Sequence, residues 1–324
     1  MNVPFEKYSS HGNHFVLVDE TDRAQVEDAQ KPQFVRRCAD MPGGIGADSV
    51  LFLAPAPRRA GVLPGFAARF FEPNGDEFMT CGNGLASIAH HLHRCHGVDE
   101  AAVLVELPSR RPRWCRVGRD GGDWRVELRP SGVRLRRFAP MAAASGGAAL
   151  VLPLDAALFA PVLRGAAGAA LVYTGEPHCV VFDPVDADAP ETSPGDVAER
   201  ESLLVERIGR HANRALRAHF PFGINVDLAW CRGAGDSLDY TCYERGIERE
   251  TLACGTGALA VALAARHLGL ATGEVLRLLP RRARRHPRFA AAQLQVRFGA
   301  RSLCTLTTQA EHVFTGVLTA ECPA

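Results

Sequence analysis

The chain has 324 residues, enough for two ordinary domains or one large one. It is 47% hydrophobic and 23% charged with a formal net charge of +1, which predicts a folded core and excludes a general pull towards nucleic acid or a membrane surface. No apolar run reaches the length of a membrane span and the start of the chain has no signal-peptide core, so a cytoplasmic protein with reduced thiols is expected.

Phe15-Val16-Leu17-Val18 reads as a buried strand after the turn His11-Gly12-Asn13. Ala24 to Asp40 carry a rough helical period and predict a helix. Pro42 to Asp48 is a glycine-rich turn before a strand from Val50 to Leu53; its spacing matches no nucleotide motif and no lysine follows it. Ala67 to Phe71 is a further strand, closed by an Asn74-Gly75 turn. A helix from Gly84 leads into three alternating segments, Ala102 to Leu107, Arg113 to Val117 and Trp124 to Leu128, which predict a meander. The Pro-, Gly- and Ala-rich run Arg129 to Ala149 marks a boundary. Asp183 to Asp196 and the basic tract Pro280 to Phe289 read as surface loops, the second lacking the aromatic residues of a nucleic-acid site.

The second half echoes the first. Gly175-Glu176-Pro177-His178 leads into a strand at Cys179 to Phe182 as Gly12-Asn13-His14-Phe15 leads into Val16 to Val18. Gly223-Ile224-Asn225-Val226-Asp227 echoes Gly44-Ile45-Gly46-Ala47-Asp48, and Tyr240 to Glu244 precedes Cys254 as Ala67 to Phe71 precedes Cys81. A duplicated α+β fold is expected, with two pseudo-symmetric strand-rich lobes, each wrapped around one central helix.

The repeat converges on two matching stretches. Thr80-Cys81-Gly82-Asn83-Gly84 and Ala253-Cys254-Gly255-Thr256-Gly257 each run into an apolar segment, as a turn that opens a helix would. A cysteine there feels the positive end of the helix, which favours its thiolate. Two thiols suit the inversion of a stereocentre: one thiolate takes the α-proton, a thiol returns one on the other face, and the reverse reaction swaps them. Two helix N-termini can stabilise the carboxylate as charge develops on it. The chain has only two lysines, Lys7 and Lys31, both without a phosphate cradle, which excludes a pyridoxal-phosphate Schiff base.

These motifs, with Glu244-Arg245-Gly246, Glu250-Thr251 and His312-Val313-Phe314-x-Gly316 in the same order, resemble the diaminopimelate epimerases. The resemblance implies a cofactor-independent amino-acid racemase or epimerase with its site in the cleft between two lobes, residues 1–135 and 136–309, the last strand (310–324) rejoining the first lobe. It implies catalytic Cys81 and Cys254 supported by His178 and Glu244, with substrate held by Asn13, Glu72, Gly82, Asn83, Gly84, Glu176, Asn225, Arg245, Gly255 and Thr256. No metal, cofactor, nucleic acid or membrane is implied; the partners are a small amino acid and, by resemblance, a second copy in a homodimer.

Two departures bear on the substrate. Glu72 and Glu176 stand where the family has asparagines, so a distal cation is expected over the distal zwitterion of diaminopimelate. Diaminopimelate epimerisation proper is the alternative within the class; a non-catalytic small-molecule binder and a phenazine-biosynthesis type of isomerase are alternatives outside it. Counting back from each cysteine aligns Glu72 with Arg245, which would allow a structural ion pair between them. Cys38, Cys115, Cys179, Cys231, Cys242, Cys304 and Cys322 read as small buried hydrophobes. His90-His91-x-His93-x-Cys95-His96 reads as a histidine-rich helix end whose side chains spread over several faces rather than as a zinc site.

Overall fold

In the computed structural model, the described residues are 2–56, 63–78, 81–107, 110–130, 150–163, 165–183, 194–231 and 236–319. They form two compact units, Met1–Leu128 with Thr307–Ala324, and Arg129–Leu306. Most of the expected boundary run (131–149), most of the Asp183 to Asp196 tract, Thr80 and Cys322 lie outside the described residues.

The first unit runs β1 (Asn2–Ser10), β2 (Asn13–Asp19), α1 (Lys31–Ala39), β3 (Ser49–Pro55), β4 (Gly65–Phe71), β5 (Glu77–Phe78), α2 (Gly82–His96), β6 (Glu100–Leu107), β7 (Arg110–Asp120) and β8 (Asp123–Leu128). The second runs β9 (Val151–Leu154), β10 (Gly168–Tyr173), β11 (Pro177–Phe182), α3 (Pro194–Ala215), β12 (Asn225–Cys231), β13 (Ser237–Glu244), β14 (Arg249–Thr251), α4 (Gly255–His267), β15 (Val275–Pro280), β16 (Leu294–Phe298) and β17 (Cys304–Thr308), and β18 (Glu311–Thr319) then pairs with β1. The fold is α+β, two strand-rich lobes with α2 and α4 as their central helices.

The duplication is visible in the strand pairing. β2 lies parallel to β3 with Phe15 opposite Ser49, and β11 lies parallel to β12 with His178 opposite Asn225. β4 runs antiparallel to β3 and parallel to β6, as β13 does to β12 and β15. This register corrects the alignment read from motifs. Asn225 corresponds to Ser49, three residues after Gly46, and Tyr243 corresponds to Phe71. Glu72 therefore corresponds to Glu244, not to Arg245. Counting back from the cysteines fails because the turn from Tyr243 to its partner Glu250 is one residue longer than the turn from Phe71 to Glu77.

Other expectations are corrected by particular contacts. The helix expected from Ala24 starts only at Lys31, with Pro32 in its first turn, because the Gln25 and Val26 amides donate to Glu20 Oε1 (3.0 Å each) instead of continuing a helix. α3 carries Val205, Ile208 and Ala212 at helical spacing into the core against Val226, Leu228 and Tyr243. The basic tract is not a solvated loop: Arg281 pairs with Glu201 (2.9 Å) and stacks on Trp230, and Arg282 pairs with Glu250 (3.0 Å). Both lysines are buried and engaged, Lys31 by Glu20 (2.9 Å) and Lys7 by the Gly46 carbonyl.

Gly209 shows how closely α3 is seated. A Cβ there would lie 2.4 Å from Cγ of Tyr243, a fully buried ring whose hydroxyl is tied to Glu248 (2.6 Å). Alanine gains about 1 kcal/mol of helix propensity, but overpacking typically costs about 1–3 kcal/mol. Gly209→Ala should therefore lower the urea midpoint with an unchanged m-value. A midpoint equal to or above that of the wild type would show that α3 can retreat from the sheet.

Candidate active site

Each cysteine of the twin stretches is the N-cap of its helix. Cys81 has φ −128° and ψ 119°, Cys254 φ −121° and ψ 117°. Each sulfur accepts a hydrogen bond from the amide three residues on, Gly84 N to Cys81 and Gly257 N to Cys254, both at 3.3 Å. The glycines are required by space. A Cβ on Gly84 would sit 2.9 Å from the Phe70 ring, and one on Gly257 would sit 2.4 Å from Asp227 Oδ1.

In the second unit, strand parity puts a polar set on one face of the sheet, beneath the start of α4. His178 pairs with Asn225; Asp227 lies two residues further along β12 and pairs with Cys242; Glu244 lies two beyond that. The alternate residues Cys179, Val181, Val226, Leu228 and Tyr243 face α3. His178 and Asp227 are wholly buried, and His178 Nδ1 donates to Asp227 Oδ2 (2.8 Å). Nε2 is then the acceptor, with Thr256 Oγ1 at 3.2 Å and Asn225 Nδ2 at 3.4 Å. Thr256 Oγ1 lies 3.4 Å from Cys254 Sγ, so one hydroxyl links imidazole and thiol. Asn225 Oδ1 accepts from the Arg245 amide (2.9 Å), and the Arg245 guanidinium pairs with Glu176 Oε2 (3.0 Å). Glu244 accepts from Thr251, and the buried Tyr240 hydroxyl donates to the Cys254 carbonyl (3.1 Å).

Seven of the expected residues, Glu176, His178, Asn225, Arg245, Glu244, Cys254 and Thr256, thus form one neighbourhood, with Gly255 opening α4. In the first unit, Gly82, Asn83 and Gly84 form the buried first turn of α2 above Cys81. Asn13 is buried at the start of β2 opposite Ser10, and Glu72 follows β4, its amide donating to the Asp76 carbonyl (2.8 Å). Arg245, the partner expected as an option for Glu72, pairs with Glu176 (3.0 Å).

Sequence reasoning missed Asp227 and Cys242. Both were marked by period 2 alone, two residues from Asn225 and from Glu244. Cys242 is no mere space-filler: its sulfur, the Glu244 carboxylate and Cys254 Sγ lie within 4.8 Å of one another. Cys231, also expected to be buried, is exposed because it ends β12. The expected thiolate preference is reversed at Cys254. A hydrogen bond with Cys242 pulls its pKa down, but burial and the carboxylates of Glu244 and Asp227 outweigh that and raise it above the ordinary thiol value.

A family model described as diaminopimelate epimerase matches residues 5–122. A diaminopimelate epimerase of Methanothrix thermoacetophila is 31% identical over 280 residues, covering 86% of this chain and 85% of the relative. One of Archaeoglobus fulgidus is 29% identical, covering 85% of each chain. Among solved structures, a hydroxyproline epimerase of Agrobacterium vitis aligns with TM-score 0.62 at 13% identity, over 99% of this chain and 94% of that one. A phenazine biosynthesis protein of Bacillus anthracis aligns with TM-score 0.60 at 11% identity, over 99% of this chain and 100% of that one. At such identities these two show the shared fold alone.

The carboxylates around Cys254 should make a measurable difference to its thiol. Glu244→Gln removes one of the carboxylates that raise the thiol pKa, so the midpoint for alkylation of Cys254 by iodoacetamide should move to lower pH. Peptide mass spectrometry across a pH series reads it; an unmoved midpoint would show that burial alone holds the proton.

Proposed function

The chain belongs to the diaminopimelate epimerase family, and on that premise we propose that it inverts the α-carbon of a free amino acid by proton exchange between two thiols, Cys81 and Cys254. It is an isomerase of the epimerase class acting on a small molecule. The observation that carries the two-thiol reading is the matching capping of both sulfurs, with dihedrals that agree to within 7° and the same 3.3 Å bond from the amide three residues on.

One thiolate takes the proton from Cα, and the electron pair left behind is delocalised into the substrate carboxylate. The other thiol delivers its proton to the opposite face of the carbon, leaving the first sulfur protonated and the second as thiolate. Cys254, with its raised pKa, rests as the thiol and is the acid of the first turnover. The first-turn amides of α2 and α4 are the donors for the carboxylate, whose charge is greatest in the transition state. His178 acts as a positioning residue, its ring fixed by Asp227 and its Nε2 holding Thr256 beside Cys254. Glu244 holds the substrate ammonium and keeps the Cys254 proton in place.

Two variants test this. Cys81→Ala and Cys254→Ala should each lower turnover in both directions by roughly 1000-fold or more, because each direction needs a base and an acid. The wild type in heavy water should place deuterium at Cα of the product. Substantial turnover in either variant, or product without deuterium, would overturn the two-thiol mechanism; a binding protein would show neither activity nor exchange.

For the substrate, we read the side chain as basic. Glu176 occupies the guanidinium of Arg245, so a distal carboxylate arriving there would meet a fixed carboxylate of like charge. Each unmatched charge in a partly desolvated site costs on the order of 1–3 kcal/mol, roughly 10- to 100-fold in kcat/KM. Glu176→Asn should shift kcat/KM towards diaminopimelate relative to lysine, ornithine, arginine and histidine, measured by chiral chromatography. If the wild type already prefers diaminopimelate to every basic amino acid, the side-chain reading fails while the thiol chemistry stands.

A further inference from the structure

The histidines of α2 do not all disperse. His90 stacks on Trp124 with its Nδ1 at the Ala310 carbonyl (2.9 Å), and His93 turns to Asp99 (2.7 Å). His91 and His96 instead converge on one atom. His91 Nε2 lies 2.9 Å and His96 Nε2 2.7 Å from the same oxygen, Oδ2 of Asp19 at the end of β2. Residues five apart on a helix ordinarily point about 140° apart. Here His96 is the last helical residue before Gly97 turns left-handed (φ 65°), and its ring folds back to 5.5 Å from that of His91, centroid to centroid.

From this convergence we propose that Asp19, His91 and His96 form a binding site for one divalent transition-metal ion of the zinc type, separate from the thiol chemistry. Two imidazoles and one carboxylate are a donor set for zinc, cobalt or nickel rather than calcium or magnesium. In a tetrahedral site with Zn–N near 2.0–2.1 Å, two bound imidazole rings have centroids about 5.2 Å apart and donor atoms about 3.3 Å apart. The rings therefore already stand at the needed spacing, and the donors need open by only about half an ångström.

The surroundings are built to hold ligands. Tyr8 Oη lies 3.1 Å from His91 Nδ1, where it can accept the Nδ1 proton and free Nε2 for a metal. Asp19 Oδ1 takes the Thr21 amide (2.9 Å) and hydroxyl (2.6 Å), which fixes the carboxylate with Oδ2 towards the rings. A metal held at Nε2 leaves the remaining ring proton of each imidazole on Nδ1. His91 is buried while Asp19 and His96 remain about one quarter exposed, which leaves a fourth position open to water. The ion would pin the end of α2 to β2. Cys81 lies at the other end of that helix, about 15 Å from His91 by helical rise, so the metal has no part in the proton exchange.

The test is titration of the metal-free, reduced full-length chain with Co(II). Visible d–d absorption of tetrahedral intensity should saturate at one ion per chain, and Zn(II) should displace it and raise the Tm. His96→Ala, at a partly exposed position that should tolerate the change, and Asp19→Asn should each weaken Co(II) binding by about 100-fold. The double variant Cys242→Ser with Cys254→Ser should bind as the wild type does. The proposal is overturned if the wild type binds no ion at micromolar Co(II). It is equally overturned if binding survives in His96→Ala but is lost in the double serine variant, which would assign the ion to the two thiols and Glu244. Neither outcome depends on turnover, so both are independent of the proposed activity.

Discussion

The hydrogen bond from a third-residue amide to a cysteine sulfur is the contact on which the rest of this molecule depends. It makes the thiol the cap of its own helix, so the sulfur is fixed by backbone geometry rather than by side-chain packing. The same bond dictates the glycines, because the amide comes close enough only where no Cβ collides with Phe70 or Asp227. It also dictates the helices behind. α4 is buried from Gly255 to Ala265 and is built largely of alanine, leucine and glycine, the sizes that fit a rod enclosed by strands.

At Cys254 the helix terminus does not win. An N-terminal dipole contributes up to about 2 kcal/mol in partly buried settings, and it is opposed by full burial and by two carboxylates. A resting thiol suits a site where the substrate itself brings an ammonium, since that charge, once docked against Glu244, offsets part of what holds the proton on sulfur. On this reading, binding and thiol activation are one electrostatic event.

How much of this was legible in the chain depends on the length scale of the signal. The twin cysteine turns, the meander and the duplication were legible because each is local or repeated. The register was not, because a one-residue difference between two turns shifts every correspondence upstream of it, as Glu72 and Glu244 show. Asp227 and Cys242 were hidden for a different reason. Both sit in strands whose other residues read as core, and only the pairing of β11, β12 and β13 reveals which parity faces α4. The start of α1 followed a local side chain, Glu20, which takes the amides five and six residues on and which helical periodicity does not register, whereas the basic tract followed Glu201, 80 residues from Arg281 and outside any sequence window.

The register also shows how far the two lobes have parted. Where the second has His178, Asp227 and Cys242, the first has Phe15, Leu51 and Phe70, all fully buried and apolar. What both retain is the capped cysteine, a polar residue at the second helical position (Asn83 and Thr256) and a glutamate at the end of the strand (Glu72 just past β4, Glu244 as the last residue of β13). A symmetric scaffold therefore carries two chemically unequal thiols, one backed by aromatic rings and one by a carboxylate–imidazole–hydroxyl relay. For enantiomers the equilibrium constant is one whatever the protein does, so this inequality cannot favour a product. On the proposed two-thiol mechanism it can appear only as kcat and KM values that differ between the two directions while their ratios stay equal.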